Sequence, residues 1–566
     1  MEDRIRLTAL GGLDEPGKDC YIVEINDDIF VIECGLSLPD KTIPGVDFLL
    51  PNADYIIENK DRIVAYIMTH GHDENIGGLQ YFYKQAPAPI YCSNSTRIIM
   101  EAEAKRFGLK PNFQFEIVKP SESKTIKGHL VHFFQTAHNA SYSFGVAIKT
   151  SRGNIVYTGD YIIDFTAKEK GYYFDMKYLE KISVDPTFLL LSESKASNKS
   201  GYCSPKHNVT PLIERYFRSS GKRIFITCFW QNFFRINEIC ELATRNNKKI
   251  YFYNDYTAGV MDELMKADES LHLSPSDIIK KEDLLRIPQA NVVILLLGRG
   301  TKLYEEMTKL VEKTNEDKRI ILGKGDIFIN CAVPTPTLET LATKSVDNLY
   351  RSECEVVWIK SKDIASMHPR QDDLKFFLSS LRPKYFIPVR GPFVNLMASA
   401  KLAVKMDIGL AHNNVFIIDN GMSIDFPSEG NPRIIPNSEN KIKISPVLVD
   451  GLGVSNVADE VIADRRALGQ DGVVIISCTV SKSEKKIVAG PDCQMRGFVF
   501  IKEAIPLLKS LSQIFIEEVE SSLDNNEVGF ANCIANIKER CRRFIQKENG
   551  REPLIIPIII PLNENN

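Results

Sequence analysis

The sequence of 566 residues lacks several features that mark common protein classes. Its 12 cysteines form no CxxC pair and no regular spacing, which favours free, mostly buried thiols in a reducing cytoplasm. No apolar segment with a basic flank begins the chain, so we expect no signal peptide. The terminal run Leu554–Pro561 is too short to span a bilayer and is broken by prolines, so we expect an edge strand and no membrane segment.

The chain also lacks a global basic charge, because its formal net charge is -3. Any contact with nucleic acid must therefore use a local patch or channel. Hydrophobic content of 44% and charged content of 25% are ordinary for a globular protein. The length predicts roughly three or four domains at about 150 residues each.

The clearest chemical signal is the segment 69–78, which reads THGHDENIGG. It follows Ile63–Met68, a run that predicts a buried strand, and its two glycines open a predicted helix over about 77–85. His70 and His72 lie two residues apart at the end of that strand, so both imidazoles can point at one ion. This pattern predicts the first two ligands of a zinc site.

Further ligand-type residues follow other predicted strands. His138 comes after the strand His129–Gln135, and Asp160 comes after the strand Gly153–Tyr157. Glu193 ends the apolar run 188–192. A capped loop residue is the simpler interpretation of each one alone, but together with the histidine pair they favour a metal site.

The rest of the chain alternates between strands and helices. Apolar strands between helical stretches over 206–360 predict a parallel sheet covered on both faces. The turn Gly298–Thr301 fits either a phosphate cradle or a plain strand-to-helix turn. Residues 427–440 read as a linker, and the helices predicted in the last part cover about 499–521 and 526–546.

The histidine segment resembles the metallo-β-lactamase signature HxHxDH, and its surroundings resemble the ribonuclease J family of the β-CASP group. The resemblance covers nearly the whole chain. It implies an α/β fold: a metallo-β-lactamase αββα sandwich, an inserted β-CASP α/β domain and a small C-terminal α/β oligomerisation domain. The implied boundaries are 1–205 and 361–440 for the sandwich and its linker, 206–360 for the insertion and 441–566 for the last domain.

The same resemblance implies roles for individual residues. The first metal site would use His70, His72, His138 and the bridging Asp160, and the general-acid pair would be Glu193 and His368, with Asp160 also counted as catalytic. The second site would use Glu74 and the positions of Asn75 and Arg390, where the family has histidines. The family has a phosphate-binding histidine where this chain has Ile364, and our own hypothesis is that Arg390 and Ser366 contact RNA phosphate.

These departures predict that the second metal site is lost. A guanidinium stays protonated and has no lone pair for a metal, and the Asn75 amide oxygen is a weak substitute for imidazole. We therefore expect at most one zinc ion, with Arg390 paired with Glu74 or Asp160 as a fixed positive charge.

Degenerate motifs of this kind resemble the second ribonuclease J paralogue of some Gram-positive bacteria. The resemblance implies a cytoplasmic, RNA-binding protein of mRNA decay and rRNA processing with weak or lost hydrolysis. The implied partners are an active ribonuclease J or a second copy, bound through the C-terminal domain, and an RNA-degradation complex. The alternatives are an active single-metal 5′-3′ exo- or endoribonuclease, a small-molecule hydrolase and a pure scaffold protein.

Overall fold

A computed structural model describes residues 2–39, 43–167, 169–219, 221–267, 271, 273–451, 453–455, 459–497, 501–525 and 529–562. The chain divides into two compact units, one of residues 1–38 and 48–447 and one of residues 39–47 and 448–566. Each unit has its own buried core.

The first unit begins with the elements of a layered sandwich. Its strands up to Glu193 are β1 Ile5–Gly11, β2 Cys20–Ile25, β3 Asp28–Ile32, β4 Phe48–Leu50, β5 Ile63–Met68, β6 Ile90–Cys92, β7 Phe115–Ile117, β8 Glu122–Ile126, β9 His129–Gln135, β10 Phe144–Thr150, β11 Gly153–Tyr157 and β12 Thr187–Glu193. The helices are α1 Asp54–Glu58, α2 Asp73–Ile76, α3 Leu79–Phe82, α4 Asn94–Arg106 and α5 Met176–Ser183, with 3-10 turns at Lys60–Arg62 and Tyr83–Gln85.

An inserted α/β layer follows. Its elements are α6 Thr210–Ser219, β13 Arg223–Phe229, α7 Phe233–Arg245, β14 Lys249–Phe252, α8 Asp255–Lys266, β15 Val292–Gly298, α9 Gly300–Val311, β16 Asp326–Asn330, α10 Glu339–Arg351 and β17 Glu355–Trp358, with 3-10 turns at Pro275–Asp277, Gln289–Asn291 and Pro336–Leu338. The strands form a parallel sheet in the order β14-β15-β13-β16-β17. The predicted parallel sheet over 206–360 is thereby confirmed.

The chain then returns to the sandwich through α11 Gln371–Leu381, β18 Tyr385–Val389, α12 Phe393–Lys405, β19 Ser423–Phe426, β20 Arg433–Ile435 and α13 Asn437–Asn440. One sheet has the order β20-β19-β1-β2-β3-β5-β6-β7 and the other has the order β18-β12-β11-β10-β9-β8. Segments far apart in sequence thus complete both sheets.

The two sheets pack face to face because their strands are apolar on both sides. In β2, Tyr21 and Val23 face the core between the sheets, whereas Cys20 and Ile22 face the outer core that the helices cover. In β12, Leu189 faces the core between the sheets and Leu190 faces the outer core. Alternate residues of a strand point to opposite faces, so a continuous apolar run fills both layers. The expected αββα sandwich with an α/β insertion is confirmed.

Two local predictions were wrong. The helix expected over about 77–85 begins earlier and is split into α2 and α3, with Gly77 and Gly78 between them. A side chain at Gly78 would collide with the Gly35 carbonyl, so close packing of this loop requires glycine there. The segment 427–440 is not simply a linker, because β20 pairs antiparallel with β19 at the edge of the larger sheet and α13 follows.

The second unit is a small α/β layer. It contains β21 Val447–Asp450, β22 Gly453–Ser455, α14 Asp459–Gln470, β23 Val473–Ser481, β24 Lys486–Arg496, α15 Ile501–Asp524, α16 Ala531–Asn549 and β25 Leu554–Pro561. The sheet order β24-β23-β25 confirms that the terminal run is an edge strand. Buried residues of β23 pack against α15 and α16, for example Ile476 with Phe515 and Ile537 in one core. Residues 498–500 and 526–528, where the predicted helices begin, lie outside the described residues.

Among the described residues, no helix is long and apolar enough to cross a membrane.

Candidate metal and phosphate site

Strand ends bring the candidate residues together. In the six-stranded sheet, β12 pairs in parallel with both β11 and β18, with Tyr157 opposite Leu191 and Glu193 opposite Val389. The carboxyl ends of these strands therefore meet at one edge, where loops collect functional side chains. The residues just beyond these strands, or beyond β5 and β9, include His70, His138, Asp160 and Arg390.

Three buried imidazoles form one cluster. The ring centroids of His70, His72 and His138 lie 4.6–5.0 Å from one another. Together with Asp160 they offer ligand atoms that all lie within 4.8 Å of one another. All four side chains are buried. Three nitrogens and one carboxylate oxygen converging on a point form a donor set suited to zinc.

Three ligand-type atoms of this cluster have no hydrogen-bond partner among the described residues. They are the Nε2 atoms of His70 and His138 and Oδ2 of Asp160, which lies 3.8 Å and 3.5 Å from them. Burial lowers the pKa of both histidines well below the usual value and that of His72 to about 4. The imidazoles are therefore neutral, which is the form that binds a metal, and these residues fit one ion.

The other ring nitrogens are held by the protein. His138 Nδ1 lies 2.9 Å from the Met367 carbonyl oxygen, and His70 Nδ1 lies 2.9 Å from Thr69 Oγ1. The Thr69 hydroxyl donates in turn to the buried Glu33 carboxylate, and the Thr69 amide donates to the same carboxylate at 3.2 Å. Such partners fix the tautomer and orientation of a metal-binding histidine.

A guanidinium lies against this cluster. Arg390 is completely buried, and its Nη1 donates to Asp160 Oδ1. Its Nη2 lies 2.9 Å from Asp19 Oδ2, 3.5 Å from Asn75 Oδ1 and 3.7 Å from Glu74 Oε1. Burial alone lowers the pKa of Arg390, but the surrounding acids raise it above its usual value. The charge is permanent, so these residues do not fit a second metal ion.

A second cation completes this arrangement. Lys195 Nζ lies 3.2 Å from Glu74 Oε1, and Arg390 lies on the same carboxylate. Burial raises the pKa of Glu74, but Lys195, His72 and Arg390 outweigh burial and hold it well below the usual range. Glu74 is thus an ionised partner of two side-chain cations, and its oxygens are not part of the four-residue cluster. Two fixed cations on these carboxylates would repel a second dication.

Glu193 and His368 form a close pair beside the cluster. His368 Nδ1 lies 2.5 Å from Glu193 Oε1 and 3.6 Å from Asp160 Oδ2. Burial raises the pKa of Glu193 well above its usual value and lowers that of His368 to about 3. Glu193 is therefore held in its protonated form beside a neutral imidazole, and the His368 side chain is 18% exposed. Such a pair can deliver a proton to a leaving oxygen.

The inserted layer contacts the loop that carries His70 and His72. The Gln231 carbonyl oxygen lies 3.3 Å from His72 Nε2, and the Gln231 amide donates to the Gly71 carbonyl and to Asp73 at 2.9 Å and 3.0 Å. Arg299, from the turn after β15, lies 3.1 Å from Asp73 and donates to Glu103 at 3.0 Å. The turn 298–301 therefore ties the insertion to the sandwich.

Not every predicted residue joins the site in the same way. Ser366 is exposed, and the contacts described for it use its backbone carbonyl, which accepts from the Cys203 thiol and the His368 amide.

Sequence reasoning missed Asp19, Lys195 and Gln231. Lys195 was within reach, because it follows Glu193 by two residues in the same motif, whereas Asp19 and Gln231 reach the site only through the fold.

Comparison with known proteins agrees with this architecture. Family models match four consecutive parts of the chain: "Metallo-beta-lactamase superfamily" at 13–169, "Ribonuclease J, beta-CASP domain" at 221–349, "Zn-dependent metallo-hydrolase RNA specificity domain" at 354–417 and "Ribonuclease J C-terminal domain" at 460–562. The fold and the histidine–aspartate cluster therefore define a metallo-β-lactamase protein.

Similar proteins identify the family within this superfamily. Ribonuclease J2 of Bacillus subtilis (strain 168) is 31% identical over 563 residues and covers 99% of both chains. Ribonuclease J 2 of Staphylococcus epidermidis is 30% identical over 557 residues and covers 98% of both chains. A crystal structure of a protein of unknown function from Enterococcus faecalis V583 aligns with a TM-score of 0.51 over 75% of this chain and 100% of that one; at 14% identity it supports the fold alone. The chain belongs to the ribonuclease J family, and its similarity is to the J2 type.

Proposed function

We propose that this protein is a ribonuclease J-like, RNA-binding subunit of cytoplasmic RNA decay and maturation whose own phosphodiester hydrolysis is weak or lost. Membership of the ribonuclease J family supports the RNA substrate. The observation that carries the proposal is the buried Arg390 guanidinium, which lies against Asp160, Asp19 and Glu74 in the place of a second metal ion.

The loss of hydrolysis follows from the chemistry of that position. A pair of metal ions in such a site activates water and stabilises both the attacking and the leaving oxygen. Arg390 and Lys195 supply positive charge but no coordination position for a water molecule. Their charges would attract a phosphate without generating the nucleophile, so we expect RNA binding to survive and cleavage to fall.

The three histidines and Asp160 would hold at most one zinc ion, which would polarise a phosphate oxygen when bound. The residues around it have separate tasks. Arg390 is completely buried against Asp160, so its charge acts on the phosphate without touching it, and Ser366 lies exposed at the rim. Glu193 and His368 hold the proton for the leaving oxygen.

The decisive test is degradation of a 5′-monophosphorylated RNA by the purified protein. We expect cleavage by the wild type to be no faster than by His70→Ala, while both bind the RNA. The double variant Asn75→His/Arg390→His restores the histidines of the family pattern and should increase bound metal. Wild-type cleavage at the rate of an active ribonuclease J would overturn the proposal.

The second candidate function is an active single-metal 5′-3′ exo- or endoribonuclease. The convergent, unpartnered atoms of His70, His138 and Asp160 favour it, because that half of the site is intact. It predicts one tightly bound zinc ion and cleavage that His70→Ala abolishes. Finding both results would replace the first proposal.

The second unit, residues 39–47 and 448–566, is the proposed site of assembly with an active ribonuclease J paralogue or with a second copy. The match to the ribonuclease J C-terminal domain supports this, as do apolar side chains such as Ile505 and Ile560, which are 58% and 52% exposed.

Ile505→Glu should lower the mass measured by analytical ultracentrifugation of the full chain, alone or with the partner. Val184→Glu, at an 84% exposed position of the first unit, is the matched control. An unchanged mass for Ile505→Glu would count against assembly through this surface.

A further inference from the structure

Two aromatic side chains are unusually exposed beside the candidate site. Phe165 is 68% exposed and Tyr202 is 41% exposed. Their ring centroids lie 6.4 Å apart, and the ring of Phe376 lies 6.3 Å from Phe165. A folded protein gains little from leaving a phenylalanine ring in water, so adjacent exposed rings mark a binding surface.

The loops that carry these rings are joined to one another. The Asp373 carboxylate accepts hydrogen bonds from the backbone amides of Ile163, Cys203 and Arg370 at 2.8–3.0 Å. Asp164 accepts from the Ser204 hydroxyl at 2.9 Å. Because these bonds fix the loops, the rings are presented on a rigid support. The same three loops begin at residues of the candidate site, namely Asp160, Lys195 and His368.

The surface around the rings is basic. Lys199 and Lys206 are exposed, and neither forms an ion pair with any residue that the structure describes. The Lys199 carbonyl accepts from the Gln371 amide at 3.0 Å, and the Lys206 carbonyl accepts from the Ala365 amide at 2.8 Å, so the backbone holds both residues against the loop around His368. The neighbouring Asp372 is paired with Lys375 at 2.8 Å, so these two charges cancel. Lys199 and Lys206 therefore add two positive charges to the loop that carries Tyr202.

We infer that Phe165 and Tyr202 form a stacking platform for the bases of single-stranded RNA, with Lys199 and Lys206 contacting its phosphates. This inference rests on the proposed RNA-binding function and adds a site outside the metal cluster. Sequence-tolerant binding of single strands combines aromatic rings that stack on bases with cations that follow the backbone. A protein partner fits less well, because exposed lysines are depleted in protein interfaces.

The test is equilibrium binding of a 12-nucleotide, 5′-monophosphorylated RNA to the full chain, measured by fluorescence anisotropy. Phe165→Ala and Tyr202→Ala should each weaken binding by roughly 5- to 150-fold, the range expected for one stacked base. Phe165→Tyr should keep the affinity, whereas Phe165→Leu should lose most of it, because a leucine has no ring to stack. Tyr350→Ala is the matched control, since Tyr350 is 62% exposed on α10.

Two further readouts separate stacking from charge. A 2-aminopurine base in the RNA should be quenched on binding to the wild type and less quenched by Phe165→Ala. Lys199→Gln and Lys206→Gln should each reduce the slope of log affinity against log salt by about 0.7, the contribution of one phosphate contact on a single strand.

The outcomes are distinguishable. If the wild type binds no RNA, the proposed function itself fails, and the platform with it. If the wild type binds and the two alanine variants bind equally well, the platform is overturned while the proposed function stands. A change in oligomeric mass for Phe165→Ala at unchanged RNA affinity would assign the patch to a protein interface and also overturn the platform.

Discussion

The Nη2 atom of Arg390 lies 2.9 Å from Oδ2 of Asp19, and both side chains are almost completely removed from water. Burial raises the pKa of Asp19 to about 6, and only Arg390 and Lys195 oppose it. The two residues come from opposite ends of the first unit, since Asp19 precedes β2 and Arg390 follows β18. An ion pair thus joins these two segments beside Asp160.

Removing this guanidinium should be costly for the fold. Arg390→Met leaves buried carboxylates without a partner, and breaking a buried ion pair in this way costs about 3–5 kcal/mol of unfolding free energy. Urea denaturation followed by circular dichroism measures the change. The matched control is Arg433→Met, at a 65% exposed arginine that pairs with Glu439, where we expect a change within about 0.5 kcal/mol. Equal effects at the two positions would contradict the role assigned to Arg390.

The hydroxyl of Thr69 should control metal affinity. Thr69→Val removes the link between Glu33 and the ring of His70 while keeping the side-chain volume. Loss of such a supporting partner typically lowers metal affinity by about 10- to 100-fold. Competition with a chromophoric chelator measures the zinc affinity. Thr8→Val, which removes a buried hydroxyl 2.7 Å from Ser423 in the same unit, should leave the affinity unchanged; an affinity loss as large as that of Thr69→Val would show a nonspecific effect.

Asp164 should make stability fall in acid. Burial raises its pKa, but hydrogen bonds from His207, Thr166 and Ser204 outweigh burial and hold the pKa well below 3.8. A carboxylate with a lowered pKa stabilises the folded state above its unfolded pKa, and this stabilisation is lost as pH falls toward the folded value. The unfolding free energy of the wild type should therefore decrease below about pH 4. Asp164→Asn should flatten this decrease, and an unchanged slope would refute the assignment.

Much of the fold could be predicted from the sequence because the strand signals are strong. The apolar runs of β5, β9 and β12 predict these strands directly. Side chains of the kind that bind metals follow each strand, which indicates one shared site. The edge strand β20 was missed because its three residues stand between prolines, where pairing depends on β19 rather than on local preference. The split between α2 and α3 was missed because it depends on contact with Gly35 from another segment.

The candidate metal ligands could be predicted from the sequence. The pairing of Arg390 with Asp19 and of Lys195 with Glu74 could not. The sequence marks Arg390 as unusual because a histidine is expected at that position. It does not reveal that Asp19 is the partner of Arg390. The approach of Lys195 to Glu74 depends on how the loop after β12 packs near Gly391. Such contacts join residues more than 100 positions apart, which no local pattern records.

The most direct measurement is the zinc content per chain by elemental analysis of the purified full-length protein, after dialysis against excess zinc and then against buffer. We expect at most one ion, held by His70, His72, His138 and Asp160, and no ion after His70→Ala. Two ions per chain in the wild type would show that Arg390 leaves the second site open and would contradict the account.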